Sequence, residues 1–164
     1  MEETIILQTQ SINIGYQSKK VSSLVAKAVS IALKKGKLTA LIGANGIGKS
    51  TLLKTITGIQ TPLEGDVLLH GKNIATYNVS DLSQEMSLVL TEKLPPSNLT
   101  VYELVALGRQ PYTNRIGTLT EEDKMQVERA LSLTQISHVA DKKHYQVSDG
   151  QLQKVHIERA LAQN

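Results

Sequence analysis

The spacing of apolar and polar residues changes character along this chain. Residues 5–14 and 21–33 are rich in β-branched residues with polar interruptions, which predicts strands of a small antiparallel sheet. Residues 38–42, Leu-Thr-Ala-Leu-Ile, are a short apolar run of the kind expected of a buried strand. Leu52, Leu53 and Ile56 then follow helical spacing, with Gly58 placed to end that helix. Thr61-Pro62-Leu63-Glu64-Gly65 signals a turn, and residues 66–69 read as a strand that stops at His70-Gly71. Ser80 is expected to cap a short helical turn, and residues 86–90 to form another apolar strand.

The texture becomes helical after Lys93-Leu94-Pro95-Pro96-Ser97, where two prolines interrupt any regular element. Thr100 and Glu103 form a capping-box pattern ahead of the stripe Val101, Leu104 and Val105. Residues 109–118 read as a polar loop. Thr120 with Asp123 opens a second helix carrying Val127, Ala130, Leu131 and Thr134 on one face, and residues 150–162 read as a last helix. The expected architecture is α/β: residues 1–91 a nucleotide-binding core with an antiparallel β arm, and residues 92–164 a helical subdomain inserted into that one domain.

Composition narrows the class. A chain of 164 residues with 40% hydrophobic and 20% charged residues can bury a core. The net charge of +3 comes from scattered lysines and arginines, and aromatics are only 3%, so no nucleic-acid surface is expected. There is no cysteine, which excludes disulfides, thiolate metal sites and cysteine nucleophiles and fits a reducing compartment. The acidic start, Met1-Glu2-Glu3-Thr4, leads into no long apolar stretch, so neither a signal peptide nor a transmembrane helix is expected. Asn78-Val79-Ser80 and Asn98-Leu99-Thr100 match the glycosylation acceptor pattern, and without a secretory signal both read as chance.

The chemistry concentrates in Gly43-Ala44-Asn45-Gly46-Ile47-Gly48-Lys49-Ser50, a complete G-x-x-x-x-G-K-S phosphate-binding loop. Gly43, Gly46 and Gly48 allow backbone N–H groups, including that of Asn45, to curl around phosphates where a Cβ would interfere. Lys49 supplies positive charge to the outer phosphates. Ser50 supplies a hydroxyl for Mg²⁺, and Thr51 continues the helix N-terminus whose dipole favours an anion. ATP and Mg²⁺ are the expected cofactors.

A second motif is Val147-Ser148-Asp149-Gly150-Gln151, followed by a helix running through Glu158-Arg159-Ala160-Leu161-Ala162. Taken with the phosphate loop, it resembles the ATP-binding subunits of ABC transporters, whose signature is Leu-Ser-Gly-Gly-Gln ahead of a basic helix. The resemblance runs from about residue 5 to the end. It implies that Ser148, Gly150 and Gln151 act in trans, closing on ATP held by the phosphate loop of a second ATP-binding subunit in a homodimer. It also implies that Tyr16 stacks on adenine. Residues 106–112, Ala-Leu-Gly-Arg-Gln-Pro-Tyr, with Gly117-Thr118-Leu119-Thr120-Glu121-Glu122-Asp123, are similar to importers of iron–siderophore, haem or vitamin B12 compounds. The implied partners are membrane-spanning permease subunits. The implied place is the cytoplasm, peripheral at the cytoplasmic face of the inner membrane.

The chain departs from that family in three ways. Thr91 stands where the family has a glutamine reaching Mg²⁺ and the attacking water, with Gln84 a nearby alternative. Asp149 replaces the first signature glycine and is expected to point away while Gly150 keeps the close approach. The family's catalytic glutamate and switch histidine belong after Asn164, so the chain reads as the first two-thirds of a catalytic domain, with no catalytic residue and negligible ATPase activity by itself. His70, His138, His144 and His156 read as ordinary surface or core histidines. The rival expectations are a soluble ABC-type ATPase without a transporter, a nucleotide-binding module without turnover and, more distantly, a P-loop kinase or GTPase.

Overall fold

Strand β1 (Ile5–Gln17) organises the first half of the chain. The computed structural model describes residues 4–17, 22–89, 97–114 and 116–163. β1 pairs antiparallel along one edge with β2 (Ser22–Val29) and β3 (Ala32–Lys34), and along the other with β4 (Glu64–Leu69), beyond which lies β5 (Lys72–Asn73). Leu7 is thus flanked by Leu33 and Leu69, and Tyr16 lies opposite Ser23. The expected single stretch 21–33 is split between β2 and β3. The Thr9 hydroxyl intervenes there, donating to the Val29 carbonyl at 2.9 Å and accepting from the Ile31 N–H at 3.0 Å. A side chain thereby satisfies backbone groups that the ladder leaves unpaired.

Helix α1 (Lys49–Ile56) buries Leu52 and Ile56. Each contributes on the order of 1.5–3 kcal/mol of transfer free energy to this unit. Leu7, Ile12, Ile14, Val67 and Leu69 bury the apolar side of the sheet.

Two expected strands do not form. Residues 38–42 are irregular, and Leu38, Leu41 and Ile42 are exposed. A buried strand needs hydrogen-bonding neighbours, and among the described residues the sheet built on β1 offers none to this segment. Residues 86–89 are also irregular, and residue 90 lies outside the described residues. Ser80 is not a cap but sits inside α2 (Val79–Glu85).

The chain divides into two compact units, Met1–Asn78 and Val79–Asn164. In the second, α3 (Val101–Ala106), α4 (Glu121–Leu133) and α5 (Asp149–Ala162) enclose a core that includes Val101, Leu104, Val105, Val127, Leu131 and Val155. The capping boxes at Thr100–Glu103 and Thr120–Asp123 are both made, and Ser148 with Gln151 forms a third. The expected loop at 109–118 is partly helical: Leu107–Tyr112 forms a 3₁₀ helix. Its reason is the buried Arg109 side chain. Arg109 Nε donates to Asp123 Oδ1 at 2.8 Å, another guanidinium N–H donates to the Ala162 carbonyl at 2.8 Å, and the guanidinium carbon lies 4.0 Å from the Tyr112 ring centre. Gly108 lets the turn close, since a Cβ there would overlap the Arg159 carbonyl oxygen.

Candidate functional site

The phosphate loop is built by a turn at Asn45-Gly46 leading directly into α1. Gly48 is the N-cap residue, with φ 105°, and a Cβ on it would also collide with Val25 of β2. Only glycine meets both demands, left-handed backbone and close approach of the sheet. No side chain caps α1, so the positive end of the helix faces outward through backbone N–H groups. Lys49 Nζ folds back over the loop, donating to the Gly43 carbonyl at 2.8 Å and the Ala44 carbonyl at 2.7 Å. Ser50 is exposed on the first turn, as are Gly43, Asn45 and Gly46.

Thr51 points the other way. It is 6% exposed, and its hydroxyl lies 3.0 Å from the Tyr16 phenol oxygen. Tyr16 itself is 56% exposed, so the ring is tethered at its hydroxyl while most of its surface meets solvent. It lines a cleft of about 400 Å³ with Gly15, Ile59, Gln60 and Pro62. The structure therefore brings residues 43–51 and Tyr16 together within the first unit.

Ser148, Gly150 and Gln151 lie in the second unit, at the N-terminus of α5. The Ser148 hydroxyl accepts from the Gln151 N–H at 3.3 Å, and Gln151 Oε1 accepts from the Ser148 N–H at 3.0 Å. Ser148, Asp149 and Gly150 are exposed. No atom comes within 4 Å of the place a Gly150 Cβ would occupy, so nothing in its own unit requires a glycine there. Asp149 sits in the first turn, where its negative charge complements the helix dipole. Thr91 lies outside the described residues. Gln84, the alternative, donates its amide to the Pro111 carbonyl at 3.0 Å.

Three buried polar groups were not legible as such. Glu158 is fully buried on α5; the Thr134 hydroxyl donates to its Oε1, while Oε2 has no partner among the described residues. Burial pushes its carboxyl up to about 7, against the weaker opposing pull of Lys154. Asp123 goes the other way: the Thr120 backbone N–H, then Arg109 and the Thr120 hydroxyl, hold it below the usual carboxylate range. His144 is 6% exposed and accepts a hydrogen bond from the Ser97 N–H. Sequence carries a signal only for Asp123, through its capping position.

The donors fit a nucleoside triphosphate: an uncapped helix terminus and a lysine poised over a glycine turn suit phosphate oxygens. The exposed Ser50 hydroxyl is a hard oxygen donor of the type Mg²⁺ accepts. Among the described residues, no group of three or more His, Cys, Asp or Glu is gathered to hold a metal. Among them too, no helix is long and apolar enough to cross a membrane.

Comparison with known proteins gives the family. Residues 26–164 match the family model described as ABC transporter. The chain is similar to the iron(3+)-hydroxamate import ATP-binding protein FhuC of Bacillus subtilis, 38% identical over 96% of this chain and 57% of that protein. It is also similar to the ferric enterobactin transport ATP-binding protein FepC of Escherichia coli, 35% identical over 99% of this chain and 58% of that one. Among solved structures, it resembles a dimeric post-hydrolysis state of an ATP-binding cassette bound to ADP and Pi, with a TM-score of 0.78 and 27% identity over 96% of this chain and 70% of that one. The chain thus spans little more than half the length of these curated relatives.

Proposed function

We infer the role of this chain from the premise that it belongs to the ABC transporter family: it is the ATP-binding part of an importer subunit for iron–siderophore-type compounds. The observation that carries the ATP-binding reading is Lys49 folded over the glycine turn at the uncapped N-terminus of α1. When nucleotide binds, Lys49 exchanges its two carbonyl partners for phosphate oxygens, and the first-turn N–H groups of α1 meet the same anion. Mg²⁺ would be held by Ser50 and would neutralise phosphate charge. Tyr16, tethered through Thr51, offers a ring face to the base, a contact worth about 1–3 kcal/mol in comparable stacking sites.

Import of iron chelates rests on kinship with FhuC and FepC, together with the Leu107-Gly108-Arg109 segment. Gly108 and Arg109 are consumed by packing within the second unit, which leaves Leu107, Gln110 and Tyr112 exposed as the surface offered to a membrane-spanning partner. Residues 148–151 would meet nucleotide held by a second subunit. In that arrangement the bare Gly150 gives room for close approach, and Asp149 turns from the phosphate.

Two measurements test this reading. Lys49→Ala should weaken ATP binding by at least about tenfold in calorimetry, since a charge-assisted phosphate contact is lost; unchanged affinity would refute it. Residues 1–164 alone should turn over ATP no faster than the Lys49→Ala variant, because the family resemblance puts the water-orienting carboxylate beyond residue 164. Phosphate release well above that level would show that this stretch carries its own catalytic group.

A further inference from the structure

We propose that His144 is a positioning residue that fixes the presentation of Ser148 by anchoring the turn before it to the segment leading into α3. The proposal rests on the reading of residues 148–151 as a contact for a partner's nucleotide. Ser148 is exposed; α5 holds it from one side through its capping box, and the stretch before it holds it from the other. That stretch is laced to residues 97–102: Val101 N–H donates to the Lys142 carbonyl at 2.9 Å, Tyr102 N–H to the Ala140 carbonyl at 2.9 Å, and His144 N–H to the Leu99 carbonyl at 3.1 Å.

Two side chains complete the lacing. Lys143 Nζ donates to the Asn98 carbonyl at 2.6 Å, an exposed bond that water can replace. The Ser97 N–H donates to His144 Nε2 at 3.2 Å, and here the acceptor side chain is 6% exposed. Deleting that acceptor leaves the donor of a part-buried hydrogen bond without its buried partner, a costlier loss than that of an exposed bond. Because Nε2 accepts, the ring's proton in this arrangement sits on Nδ1. The ring edge also meets Tyr145, with centroids 5.8 Å apart at 79°.

From His144 the chain makes a single 3₁₀ turn, His144–Gln146, closed by the Gln146 N–H donating to the Lys143 carbonyl at 2.8 Å and capped by Gln146 Oε1 accepting from the Lys143 N–H at 2.9 Å. Val147 and the cap residue Ser148 follow at once. A stiff, short connection transmits position. Release of His144 therefore loosens where the Ser148 hydroxyl and the α5 terminus stand, while the phosphate loop, in the other unit, keeps its own nucleotide.

The test uses the whole importer subunit of which this chain is read as the ATP-binding part, assembled with its membrane partner, and compares wild type with His144→Phe, His144→Gln and Ser148→Ala. His144→Phe keeps a ring but has no acceptor, and His144→Gln restores an acceptor at similar reach. We expect His144→Phe to lower kcat for ATP about tenfold with KM within about twofold, and to speed amide hydrogen exchange at residue 97 and residues 148–151. His144→Gln should recover both. Unchanged kcat, unchanged exchange at those amides, or no recovery with Gln would each overturn the proposal. If Ser148→Ala leaves turnover intact, the signature reading fails instead, and hydrogen exchange in His144→Phe still decides the anchoring.

Discussion

Gly108 illustrates how one residue's absence of a side chain holds a unit together. Its Cα lies where any Cβ would overlap the Arg159 carbonyl, a backbone atom that cannot rotate aside. Gly108→Ala should therefore lower the stability of the second unit by roughly 1–3 kcal/mol, read as a lower urea midpoint. Glu158 is the opposite case, a group that is present but costly. Its folded-state carboxyl titrates at about 7, above the ordinary value of 4.5. Below about 4.5 it is protonated whether the chain is folded or not, and its stabilising contribution is complete. As pH rises toward 7 the unfolded chain sheds the proton that the folded one keeps, so stability falls across that window and levels off beyond it. The loss is at most about 3 kcal/mol. Glu158→Gln should flatten this slope in denaturant titrations at pH 5 and pH 8; an unchanged slope would mean the carboxyl titrates normally.

Three helices of the second unit, α3, α4 and α5, begin at residues whose side chains cap them. Thr100, Thr120 and Ser148 each accept from the N–H three residues on, and Glu103, Asp123 and Gln151 return the bond. The first two were legible because every participant lies within one turn. Thr120→Ala should cost about 1 kcal/mol through the lost cap. It should also lift the Asp123 carboxyl toward its ordinary range, since one of the hydrogen bonds holding it down is gone; a pH titration by NMR reads this directly. The 3₁₀ helix at Leu107–Tyr112 was not legible. Read locally, residues 109–118 are polar loop, and the helix exists because Arg109 reaches Asp123 and the Ala162 carbonyl, residues distant in the chain. Residues 38–42 failed in the other direction: an apolar run has the composition of a strand, but strands are made by neighbours.

At the scale of the whole molecule, the two units carry different halves of the proposed chemistry, the phosphate loop and Tyr16 in one, residues 148–151 in the other. The exposed Leu38, Ile42 and Ile47 give the first unit an apolar surface of the kind that drives association. Leu38→Lys should reduce concentration-dependent light scattering of this chain while leaving nucleotide affinity intact. Equal scattering from both proteins would mean that association runs through another surface.

Sequence alone determined the features whose partners lie within a few residues: the glycine loop opening α1, the caps of α3 and α4, and the apolar stripes of those two helices. Spacing along the chain is enough there, because backbone geometry brings such neighbours together. Tertiary structure alone decided that Tyr16 is tethered by Thr51, that Arg109 is a packing residue, that Glu158 and His144 are buried, and that residues 38–42 lie bare. Each of these depends on what distant segments place beside the residue, and burial and dielectric are properties of that surrounding.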